Sequence, residues 1–226
     1  MGSQTPEALK ELYNVNDFES IANAEGLISI GGFGSLLSER SARYTFPALS
    51  NFRIARLSGF RRIFAHVAPI FFERGIAKPE TKEISSLSVE PCSEESILIT
   101  VFEIGISEVF PEDLGKSTVS HPAVVCARYS DEEYLEHRCK GSKDEFYKNY
   151  GRYGIDKIWR DDILPCRAYL RHCVLAAKNL GSEVYENFLD HTFLGDRLTT
   201  IRQHLELHPQ IMHEEPPPHL KERYGG

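Results

Sequence analysis

The segment Ile30-Gly31-Gly32-Phe33-Gly34-Ser35-Leu36-Leu37 places three glycines within four positions. Leu27 to Ile30 reads as a short apolar strand running into it. Glycine lets a backbone approach a ligand closely. A strand that ends in such a loop can gather its N–H groups into an anion-binding concavity. Ser35 would add a hydroxyl donor. The same residues also suit a tight turn with no ligand. A dinucleotide fingerprint fails on detail: its third glycine position is Leu37, and an Arg-rich stretch follows in place of a long apolar helix.

Working outward, Pro6 to Tyr13 reads as a helix. A second helix starts at Asn16, with Glu19 in capping-box spacing, and ends at Gly26. Ser38 to Asn51 reads as a short helix and loop. Arg53 to Val67 is a long strand interrupted at Gly59. Ile84–Val89 and Ile97–Ile104 read as two strands of a hairpin turning near Pro91, and Ala123 to Tyr129 as another β-rich run. Ser130 with Glu133 and Ser142 with Glu145 are successive capping boxes. Cys166 to Leu175 suits a strand or a buried helix. Ser182–Leu194 and Asp196–Leu207 read as helices, and the tail from His208 as extended chain. The simplest organisation is an N-terminal helical extension (1–26), an α+β domain (27–181), and C-terminal helices with a Pro- and His-rich tail (182–226).

The 226 residues carry 26 Lys and Arg against 33 Asp and Glu, a net charge of −7. A nucleic-acid surface needs concentrated positive charge, so no nucleic-acid partner is expected. No run approaches the roughly 18 apolar residues of a membrane span. No membrane association and no targeting segment are expected. The five cysteines form no CxxC pair, which reads as reduced thiols in a cytoplasmic setting.

Other motifs carry less. Gly115-Lys116-Ser117-Thr118 looks like the end of a P-loop, but Phe110 stands where the first glycine belongs. His204 and His208 share a helix face, and His213 and His219 follow, without the third spaced ligand that zinc requires. No metal site is expected. In Gly59-Phe60-Arg61-Arg62 the two cations fall on opposite faces of a strand. Arg61 is the candidate for holding a substrate carboxylate bidentately.

Taken in order, Ile30–Leu37 and Leu57-Ser58-Gly59-Phe60-Arg61-Arg62-Ile63-Phe64 resemble the γ-glutamylcyclotransferase-like superfamily. Its signature is an aromatic-Gly-Ser loop after the first strand, then a Gly-aromatic-Arg-Arg strand. Ile99-Thr100-Val101-Phe102-Glu103-Ile104 resembles the strand that precedes the family's catalytic acid. The resemblance covers about Leu27 to Ile104. It implies an α+β fold built on a small mixed β-barrel flanked by helices, here with an added helical C-terminal part. It also implies a cofactor-free reaction on a small-molecule γ-glutamyl substrate, closing 5-oxoproline and releasing an amine. The backbone amides of Phe33, Gly34, Ser35 and Leu36 would hold the carboxylate or oxyanion. The family's base glutamate sits in an Arg-Glu context that Gly105–Pro122 lacks. Glu108, Glu112 and Asp113 are the nearest carboxylates, and Glu112 is the candidate base. The alternative is a catalytically inactive homologue that binds a small anion or a protein partner.

Overall fold

The computed structural model describes residues 10–12, 15–108, 117–120, 123–128 and 130–225. The described strands are β1 (Lys10–Leu12), β2 (Leu27–Gly32), β3 (Ser50–Val67), β4 (Glu83–Gly105), β5 (Ser117–Ser120), β6 (Ala123–Cys126), β7 (Leu164–Pro165) and β8 (Thr192–Leu194). The helices are α1 (Val15–Glu19), α2 (Glu39–Thr45), α3 (Pro69–Glu73), α4 (Asp131–His137), α5 (Lys143–Asn149), α6 (Arg167–Asn179), α7 (Ser182–Asp190), α8 (Ile201–Leu207) and α9 (Lys221–Tyr224). The fold is mixed α+β. One mixed sheet runs in the order β1-β5-β6-β2-β4-β3-β8, with β7 beside β4. Among the described residues the path is open from β1 to β8, so the sheet is mixed but does not close into the expected small barrel. One bridge, between Val89 and Ala127, draws the end of β6 against the first half of β4.

The long antiparallel pair β3·β4 is the frame. Gly59 has a φ of +80°, a conformation open to glycine and costly for other residues. There Ser58 faces Ser96 while Phe60 faces Pro91, so Cys92 to Glu95 stand opposite a single residue. This bulge bends the strand without ending it. The expected hairpin at Pro91 is therefore replaced by one 23-residue strand, both halves of which pair with β3. A second difference lies at the start: Lys10–Leu12, expected as helix, pairs with Ser117–Val119.

β2 inserts between β4 and β6, antiparallel to the first and parallel to the second. α6 fills the underside. Its Ala168, Tyr169, Leu170, His172, Cys173, Val174, Ala176 and Ala177 are all buried, and 13 residues make it a buried helix, the longer of the two readings. It packs in one core with Leu37, Phe64, Leu87, Leu98, Phe188, Ile201 and Tyr224. The tail is not extended. Pro209 and Pro218 open short helical turns, and Ile211, Leu220 and Tyr224 are buried against that core.

Candidate functional site

The loop after β2 is built by close contacts that exclude side chains. A Cβ on Gly32 would lie 2.6 Å from Thr100 Oγ1 and 2.9 Å from the Leu36 carbonyl oxygen. A Cβ on Gly34 would lie 2.7 Å from the Tyr169 hydroxyl. Ser35–Leu37 then makes a single turn, and Ser38 caps α2 by accepting from the Ser41 N–H.

The carbonyls of this loop are held one after another. The Thr100 hydroxyl lies 3.2 Å from the Gly32 oxygen and 2.8 Å from that of Leu36. Arg62 Nε donates to the Phe33 oxygen at 2.9 Å. The Gly34 oxygen accepts from Leu37 N–H at 3.0 Å, and the Ser35 oxygen from Ser38 N–H at 3.2 Å. Among the described residues, no acceptor is paired with the N–H groups of Phe33, Gly34, Ser35 or Leu36. In a trans peptide the N–H points opposite the preceding carbonyl. Tethering the carbonyls of Phe33, Gly34 and Ser35, with Gly32 sharing the single Thr100 hydroxyl proton with Leu36, thus orients the consecutive N–H donors away from their tethers. Such a run of free donors suits a carboxylate or an oxyanion.

Arg62 is fully buried. It donates to the Phe33 oxygen, to the Leu98 oxygen, and to Asn187 Oδ1 at 3.2 Å, with its guanidinium over the Phe188 ring. All three acceptors are uncharged. Burial therefore pulls this arginine down to about 9. Arg61 points to the opposite face, as adjacent strand residues do. Its Nε and Nη2 donate to Glu90 Oε1 at 2.8 and 2.6 Å. Glu90 also accepts from Arg128 at 3.2 Å and Arg197 at 3.1 Å, beside a cavity of about 490 Å3 lined by Glu90, Pro91, Arg128 and Ser130. The structure thus brings Phe33, Gly34, Ser35 and Leu36 together and places the Arg61 guanidinium elsewhere.

Behind the loop, Tyr169 meets the Ser35 side chain and the Cys173 thiol, and burial holds its phenol well above the usual range. The Ser35 side chain therefore lies against α6. Burial pushes the Cys166 and Cys173 thiols up to about 12, so neither is a nucleophile near neutral pH. His172 packs against the Ser35 backbone with neither ring nitrogen in hydrogen-bond geometry, and burial lowers it to about 4.

Glu112 and Asp113 lie outside the described residues, as do Gly115 and Lys116. Glu108 is half-buried at the end of the turn after β4. Glu103 is a carboxylate that sequence reasoning missed. Its Oε1 accepts from Arg53 at 2.6 Å, and its Oε2 is buried without a partner among the described residues. The available signal was a lone charge in the apolar run Ile97–Ile104. Arg62 and Thr100 stand in the quoted motifs without an assigned role, since nothing local to them points at the loop. Among the described residues no three His, Cys, Asp or Glu side chains gather as a metal site, and no helix is long and apolar enough to cross a membrane.

No family model matches this chain, and no curated protein does. Solved structures similar to part of it include the following two. One, titled gamma-glutamyl cyclotransferase, is 14% identical with a TM-score of 0.32, over 60% of this chain and 90% of its own. The other, an uncharacterized protein from Homo sapiens, is 14% identical with a TM-score of 0.33, over 61% of this chain and 90% of its own.

Proposed function

We propose that this chain cyclises a γ-glutamyl amine or peptide to 5-oxoproline and releases the amine. The observation that carries this reading is the run of four unpaired N–H donors from Phe33 to Leu36, with the carbonyls behind them tethered. In the reaction the substrate's α-amine nitrogen attacks its own γ-carbonyl carbon, and the bond from that carbon to the leaving nitrogen breaks. The attacking nitrogen loses two protons, one from the ammonium before attack and one from the tetrahedral intermediate; a carboxylate base passes them in turn to the leaving nitrogen, which departs as an ammonium. Attack is intramolecular, so the substrate itself supplies proximity. The protein has to bind the α-carboxylate, stabilise the developing oxyanion and shuttle protons from the attacking to the leaving nitrogen, and it needs no cofactor for these tasks. Glu112 is the proposed base, and Glu103, with its unpaired buried oxygen, is the second carboxylate to test.

The competing reading is anion binding without turnover. The engagement of Glu103 with Arg53 favours it, because a carboxylate oxygen held by a guanidinium is not free to reach a substrate ammonium. The deciding experiment measures 5-oxoproline release from glutathione and a panel of γ-glutamyl amines. The parent, Glu112→Gln, Glu103→Gln and Ser35→Ala are compared. Turnover by the parent that falls about 100-fold or more in one glutamate variant supports the cyclisation reading and identifies the base. Folded parent protein that releases no 5-oxoproline across the panel overturns it in favour of the binding module.

A further inference from the structure

We infer that Arg62 is a positioning residue that aims the Gly34 N–H at the bound anion. This inference rests on the reading of the Phe33–Leu36 loop as the substrate site. The tethers on the Gly32, Gly34 and Ser35 carbonyls come from the pairing strand or from the loop itself. The tether on Phe33 comes from a residue 29 positions away, on β3, and it carries a full charge. That charge is taken out of water completely and meets two carbonyls and an amide in place of a carboxylate. Burying a cation without a counter-ion is costly, so an arginine here has to be repaid by what it organises.

The geometry defines what that is. Arg62 Nε holds the Phe33 oxygen, and the trans peptide then turns the Gly34 N–H the other way. The remaining guanidinium nitrogens reach the Leu98 oxygen on β4 and Asn187 on α7. Asn187 in turn accepts from the Leu98 N–H at 2.7 Å and donates to the Ser96 oxygen at 3.1 Å. The peptide plane of the loop is thereby referenced to the two long strands and to α7. The same hydrogen bond polarises the Phe33–Gly34 peptide and strengthens its N–H as a donor. A lysine cannot reproduce the fork, because its ammonium is a point charge without the planar set of donors.

The test has two readouts. In the parent, with isotope-labelled glycine and arginine, titration with 5-oxoproline should move the Gly34 amide and the Arg62 Nε–H resonances together. A Gly34 shift with a stationary Arg62 resonance overturns the inference, and this arm requires no variant. In Arg62→Lys, 5-oxoproline affinity should fall and KM should rise, each by about tenfold or more. A merely structural role would lower the active fraction and leave KM and affinity of the folded protein unchanged, which overturns the inference. In Arg62→Ala, millimolar guanidinium should restore affinity. Absent turnover in a parent whose two resonances move together retires the cyclisation reading and leaves Arg62 as the organiser of an anion site. Turnover with parental KM in Arg62→Lys does the reverse.

Discussion

Gly34 has no room for a methyl group, because its Cα faces the Tyr169 hydroxyl and Leu87. Gly34→Ala is expected to destabilise the protein by about 1–3 kcal/mol, the usual cost of overpacking. Removing the obstructing hydroxyl should help: Gly34→Ala with Tyr169→Phe should recover more than half of that loss in urea denaturation. Additive losses in the pair would mean that the clash is relieved elsewhere. Glu90 poses the opposite problem, a buried carboxylate serving three guanidinium groups from β3, the exit of β6 and the β8–α8 loop. Glu90→Ala leaves Arg61 without its partner and Arg128 and Arg197 with only the more exposed Asp161, and should cost about 3–5 kcal/mol. Adding Arg61→Ala should recover part of this, so the double-mutant cycle should be clearly non-additive.

Among the elements, β2, α2, the Gly59 interruption of β3 and the capped start of α4 were legible in the sequence. Each is fixed by local chemistry: an apolar run, a cap, a glycine with φ of +80°. Ser130 and Glu133 make their full capping box, while Ser142 accepts from Glu145 N–H as a simple cap. The unbroken β4 was not legible. Pro91 reads as a turn locally, and only the facing bulge absorbs the four residues from Cys92 to Glu95. Gly59→Ala should therefore act on the whole pair, lowering stability by about 1 kcal/mol or more. Hydrogen exchange should speed up on both β3 and β4. A change confined to residues next to 59 would show that the bulge is not what keeps the strand continuous.

Among the described residues, burial holds three histidines in neutral form, His66, His172 and His204. His172 and His204 are 2% and 5% exposed, His66 is half-buried, and burial lowers all three to about 4 from the usual 6.5. Between these values the unfolded chain binds protons that the folded one does not, so stability rises with pH there. Their contribution is fully present above about pH 6.5 and is lost as pH falls toward about 4. The three together should give a slope of about 3.5 kcal/mol per pH unit in urea titrations near pH 5. A stability that stays level from about pH 7 down to about pH 5 would contradict this. The C-terminal segment closes the same region. Tyr224 is 3% exposed, bonds Arg74 through its hydroxyl and stands edge-on to Tyr169 and His172. Tyr224→Ala should cost about 3–5 kcal/mol as a large cavity in the core. By itself, then, the sequence determined the mixed α+β class, the glycine loop and the two-arginine strand, because backbone preference, capping and alternation act within a few residues. Only the tertiary structure decided that Arg62 reaches the loop while Arg61 turns to Glu90, and that Thr100, Tyr169 and Tyr224 gather behind it. Those outcomes depend on which distant groups meet when the long strands curl and α6 is buried beneath them, and no local pattern encodes that meeting.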